Sequence, residues 1–185
     1  MPETQDIATP EDVCRFWSEA GPQRWYQKDE AFDTDFRHRF LPSHEAAARG
    51  GLMRWAASPG GALALLILLD QFPRNAFRDT GRVYATDALA RVVAQQAMQG
   101  GHAARCRHQD LKQFFRMPFT HSEWLPDQER ALSLAREEGG DGERWARHHR
   151  DIVARFGRFP HRNALLGRRS TPEELAFLEA DGFKG

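Results

Sequence analysis

The sequence predicts an all-α fold, built from antiparallel helix pairs in a tetratricopeptide-like or irregular bundle. Three observations carry this expectation. Apolar residues recur at helical spacing, and no segment alternates convincingly with period two. Helix-start signals recur, in which a small polar residue stands just before a proline or an acidic first turn. The longest apolar run, residues 62–69, consists of leucine and alanine with Ile67 as its one β-branched residue, so it reads as helix rather than as buried strand.

Each element has its own justification. Thr9, Pro10 and Asp12 open a first helix, with Val13, Phe16 and Trp17 as its apolar stripe. Residues 29–49 carry Phe32, Phe36, Phe40, Leu41 and His44 on one side; Pro42 is expected to kink or split the segment, and Gly50-Gly51 to end it. A short helix over 52–57 turns Trp55 inward, and Ser58-Pro59-Gly60-Gly61 reads as a turn. The 62–69 helix should stop at Phe72-Pro73, because a residue before proline is pushed out of the helical region. Thr86 or a neighbour caps a helix running through Leu89, Val92, Val93 and Met98 to Gly100-Gly101. Residues 109–117 follow, with Leu111, Phe114 and Phe115 as the stripe. Pro126 begins another helix that runs to Glu138, its start favoured by Asp127 and Glu129. After a glycine break, 143–156 places Trp145, Ile152, Val153 and Phe156 on one face. Thr171-Pro172-Glu173-Glu174 opens a last helix with a capping box.

Composition bounds the function classes. A chain of 185 residues with 41% hydrophobic content is expected to form one domain, 1–185, able to bury a core without disulfide or metal. Cys14 and Cys106 match no metal-ligand spacing and read as reduced thiols of a cytoplasmic protein. No signal segment is read at the start. The longest apolar run covers roughly 12 Å as a helix, against a bilayer core of about 30 Å, so no membrane partner is expected. The 26 basic and 26 acidic residues balance, which gives no support for a nucleic-acid partner. Lysine stands only at Lys28, Lys112 and Lys184, so arginine supplies nearly all the positive charge; its planar fork suits carboxylates and phosphates. No cofactor or metal is expected, and the oligomeric state is left open.

A near-repeat draws attention to two corners: Phe72-Pro73-Arg74-Asn75-Ala76 and Phe159-Pro160-His161-Arg162-Asn163-Ala164. In the first, Asp70 lies at the edge of the apolar run and needs a partner, with Arg74 the natural mate; Gln71 and Asn75 complete the group. In the second, the face of 143–156 that carries His149 runs towards Arg155, Arg158, His161, Arg162 and Asn163, a crowd of cationic and titratable groups that an anion would relieve. Between them, His121 and Glu123 lie in a link between helices and could form a proton-transfer pair or an ordinary cap. There is no phosphate-cradling glycine loop and no glycine-flanked serine.

Several stretches resemble a known family. They are the 69–75 motif with Phe77-Arg78 and Ala85-Thr86-Asp87, Met117-Pro118-Phe119-Thr120-His121-Ser122-Glu123 with Asp127-Gln128-Glu129, and His149-Arg150-Asp151 leading into 155–163. The opening Trp25-Tyr26-Gln27-Lys28 belongs with them. Together they are similar to the bacterial domain of unknown function 924 family, from about Val13 to the last helix, with Pro42 as a departure. The resemblance implies a tetratricopeptide-like helical fold and carries no catalytic role. The reading is a binding or interaction module for a small anionic molecule or peptide; the alternative is a small enzyme using His121, Glu123 and His149 for acid–base work.

Overall fold

The computed structural model describes residues 7–181, and among them every regular element is helical. They form two compact units: residues 7–78 with 82–118, and residues 79–81 with 119–181.

In the first unit, helix α1 (Pro10–Trp25) starts as expected. Thr9 accepts from the Asp12 N–H and Asp12 reaches back to Thr9, closing a capping box. Gly21, at φ 70°, breaks the winding before Pro22, and the final turn is pinned by the Trp25 indole N–H donating to the Trp17 carbonyl at 2.7 Å. Helix α2 (Glu30–Ala48) begins on the Asp29 side chain, which accepts from the Ala31 and Phe32 N–H groups. It runs through Pro42 without division, so the proline does not split it. The aromatic stripes of α1 and α2 meet: Phe16 stacks on Phe32 and Phe36 at 5.3 and 5.2 Å, and Trp17 on Phe36 at 5.2 Å.

The stretch read as a turn at 58–61 is instead a helix start. Ser58 accepts from the Gly61 N–H at 3.1 Å and Pro59 takes the first turn, opening α3 (Pro59–Leu66) after a 3-10 turn at Met53–Ala57. A Cβ on Gly61 would collide with the Trp55 carbonyl, so glycine is required by close approach. Residues 62–69 are wholly buried, as an apolar run in the middle of a core should be.

Proline 73 does not end this helix. The winding widens into a π-turn, Ile67–Gln71, and resumes as α4 (Phe72–Ala76). In the π-turn the Phe72 N–H reaches Ile67 O, five residues back. The next N–H in that register would belong to residue 73, and proline has none. Leu68 O is served instead by the His44 ring at 2.9 Å, Leu69 O by the Thr86 hydroxyl at 2.5 Å, and Asp70 O by Arg74. The helix continues past its proline with the His44 ring at Leu68 O in place of the one missing N–H.

Helix α5 (Asp87–Gln99) follows Thr86, whose hydroxyl serves Leu69 rather than the cap. A short α6 (His102–Arg105) comes next. The segment expected as a helix over 109–117 is 3-10 at Gln109–Phe115, and it buries Leu111, Phe114 and Phe115 as expected. Helix α7 (Met117–Thr120) leads the chain into the second unit.

There, α8 (Leu125–Glu138) and α9 (Gly142–Phe156) pack as an antiparallel pair. Leu132, Ala135 and Ala146 form one apolar cluster, and Ile152, Val153 and Phe159 another. Trp145, expected on the inner face of α9, is 51% exposed; Ala146 takes the buried position beside it. Gly157, at φ 69°, ends α9 in the left-handed conformation that favours glycine. The last helix, α10 (Pro172–Asp181), has the expected box: Glu174 N–H donates to Thr171 Oγ1, and Thr171 N–H to Glu174 Oε2.

Candidate functional site

The two Phe-Pro corners fall in different units, and each has its own hydrogen-bonding centre. In the first unit the π-turn buries Asp70, 1% exposed, against Gln71 Nε2 at 2.6 Å. Arg74 stands 3.4 Å from Asp70 and makes a two-pronged pair with Asp87 at 3.1 and 3.2 Å. Burial works against the charge on Arg74, but the carboxylates of Asp70 and Asp87 outweigh it and hold its pKa above the ordinary value. Asn75 donates to Asp33 at 2.7 Å, and Arg78 binds the same carboxylate at 2.6 and 3.3 Å. Asp70, Gln71 and Arg74 thus tie the π-turn to α5 through Asp87, while Asn75 ties α4 to α2 through Asp33. Asp33, which holds both Asn75 and Arg78, was not singled out from the sequence.

The second unit brings the remaining residues together in two adjoining groups. One is an ion-pair lattice. Arg158 grips Glu174 at 2.6 and 2.8 Å, and Glu174 also accepts from Asn163 at 3.3 Å. Asn163 donates to Ser170 and accepts from Arg168 Nε at 2.9 Å. Arg168 then clasps both oxygens of Glu123 at 2.6 and 2.8 Å, and Glu123 accepts from the Phe159 N–H at 2.8 Å. The Arg158 bonds pull Glu174 down to about 2, against the opposing effect of burial. Burial also disfavours the Glu123 charge, but the Arg168 bonds, the Phe159 N–H and nearby Arg162 prevail, so Glu123 stays ionised below the ordinary carboxylate range. A carboxylate so held accepts hydrogen bonds; it does not donate protons near neutrality. Arg168 went unnoticed in the sequence because it stands in a loop, one residue past the left-handed Gly167.

The other group surrounds Phe159, which is fully buried. The rings of His149 and His161 lie 5.7 and 5.6 Å from it, and the Arg162 guanidinium carbon stands 4.5 Å over it. His149 donates Nδ1–H to the Trp145 carbonyl at 2.8 Å, which leaves Nε2 as the acceptor of the neutral ring. Burial pushes the His149 pKa down to about 4, against the Trp145 carbonyl bond and with help from neighbouring groups that include Arg162. Burial together with Arg162 and His149 pushes His161 to about 3. Both imidazoles are neutral at physiological pH, and both keep a partly exposed edge. His121 shares their electrostatic field. Its segment is fixed by Gln128, which donates to Thr120 O at 2.7 Å and Ser122 O at 2.5 Å. No group of three or more His, Cys, Asp or Glu suited to hold a metal occurs among the described residues.

Comparison with known proteins places these features in a family. The model of the family described as "Bacterial protein of unknown function (DUF924)" matches residues 13–182. A solved structure from Agrobacterium tumefaciens, titled as the protein of unknown function ATU0120, is 49% identical with a TM-score of 0.89, over 92% of this chain and 96% of that one. No curated protein matches. With its π-turn network, its Glu123 clasp and its Phe159 corner all inside the matched span, the chain belongs to the DUF924 family.

Proposed function

We propose that the second unit is a binding module for a small oxyanion, a phosphate or carboxylate compound or an acidic peptide end, centred on His149, His161 and Arg162 with His121 beside them. The single observation that carries this reading is the convergence of two neutral imidazoles and one guanidinium on the ring of Phe159. Arg162 supplies permanent positive charge, and its fork suits an oxyanion. The imidazoles are held neutral partly by that same charge. An anion beside Arg162 reverses this field, raises the histidine pKa values and turns an imidazole acceptor into a donor. Binding is therefore coupled to proton uptake. Glu123, Arg158 and Asn163 act as the frame, since their polar atoms are already spent on Arg168, Glu174 and Ser170. This engagement of Glu123 favours binding over acid–base catalysis by a His121–Glu123 pair.

The test is a titration of the histidine ring signals by NMR, with and without millimolar inorganic phosphate or acetate. The expected result is an upward shift in the pKa of His149 and His161 that is lost in Arg162→Gln. Unchanged histidine titration with both anions would refute the proposal, as would an equal shift in the Arg162→Gln protein.

A further inference from the structure

The first unit holds a cleft that none of the preceding chemistry uses. It lies between α1 and α2 and has a volume of about 370 Å³, within the range of small-ligand sites. Its lining includes the stacked rings of Phe16 and Phe32, 5.3 Å apart. Both rings already hold cations: the Arg39 guanidinium stands 5.4 Å over Phe16, and that of Arg24 stands 6.0 Å over Phe32. The Gly21 break positions Arg24, since the turn after it departs from the α1 winding.

The charges around the rim are unequal. Arg39 is paired with Asp35 at 2.7 Å, and Arg24 with Asp29 at 3.9 Å. Glu19 lies one turn along α1 from Phe16, on the same face, and has no ion-pair partner among the described residues. Three lining carboxylates thus face two guanidiniums. We infer that this cleft binds a small alkylammonium compound, with the ammonium at Glu19 and the alkyl chain along Phe16 and Ala20. An anion would have to displace the carboxylates already on Arg24 and Arg39; a cation meets an unspent one.

The inference concerns a different unit and the opposite charge from the oxyanion proposal, so either can fail alone. Three probes of equal chain length test it: pentylamine, pentanoate and pentanol, each titrated against the full chain while backbone amide signals are followed. Pentylamine is expected to give saturable shifts at Phe16, Glu19 and Ala20, and to bind more tightly than the other two. Glu19→Gln, at an exposed position that leaves the fold intact, should weaken pentylamine by about threefold to fivefold, the worth of one solvent-exposed ion pair. The idea is overturned if pentanoate binds as tightly as pentylamine, if Glu19→Gln leaves the pentylamine affinity unchanged, or if pentylamine shifts nothing in the millimolar range.

Discussion

Replacing Arg168 by methionine tests the frame of the second unit most directly. The substitution keeps an unbranched stem and removes four hydrogen bonds: two to Glu123, one to Asn163 Oδ1 and one to the Phe159 carbonyl. Glu123 keeps the bond from the Phe159 N–H. The cost depends on how dry the pair is. A fully exposed pair contributes about 0–1 kcal/mol, whereas orphaning a fully buried charge costs about 3–5 kcal/mol. The side chains of Arg168 and Glu123 are 24% and 26% exposed, which places the pair between these limits but nearer the buried one. We expect a loss of about 2–3 kcal/mol, or roughly 5–10 °C in Tm for a chain of this length. Urea unfolding followed by circular dichroism measures it. The Glu123→Gln and double variants complete a cycle that isolates the pair, with an expected coupling of about 1–2 kcal/mol. A loss below about 1 kcal/mol in Arg168→Met, or a coupling near zero, would refute the reasoning, because the clasp would then be an ordinary screened surface contact.

Two other outcomes follow from the same physics. Thr86→Val preserves shape but leaves the Leu69 carbonyl without its hydroxyl donor in the core. It should cost about 1–3 kcal/mol, read by thermal melting, and a melt within error of the parent would mean another donor takes over. For pH, the folded pKa values of His149 and His161, about 4 and about 3, lie below the unfolded histidine value near 6.5. The unfolded chain therefore binds more protons in between, so stability falls as pH drops from about 6.5 towards those folded values, and is regained on raising it. Urea midpoints across this range in the parent and in a His149→Gln, His161→Gln variant measure the effect; an equal acid slope in both would sink the assignment.

Much of the helix pattern could be read from local signals. The Thr9–Asp12 and Thr171–Glu174 boxes and the Val13, Phe16, Trp17 stripe each depend on neighbours a few residues away. What escaped depends on distant partners. Ser58-Pro59 looked like a turn because two glycines follow, yet Gly61 is there to let Trp55 approach. Pro73 looked like a stop because the group that takes the place of its N–H, the His44 ring, lies far away along the chain. Trp145 satisfied the apolar period of α9 but reaches the surface, since period fixes a face and not what covers it. Of the site, the corner at 159–163 was legible as a concentration of cationic and polar side chains. Its division into a neutral imidazole group and an ion-pair lattice was not, because Arg168 and Glu123 are separated by 45 residues.

The wide turn at Ile67–Gln71 works as a phase shifter in the long rod from Pro59 to Ala76. One surplus residue rotates everything beyond it by about 100° relative to a regular winding. The same rod can therefore present solid hydrocarbon along one stretch and aim Arg74 and Asn75 at Asp87 and Asp33 along the next. Deleting a single residue there would restore ordinary pitch while swinging Phe72 off His44 and both polar side chains off their carboxylates. Chain length in this segment is thus as tightly constrained as side-chain identity.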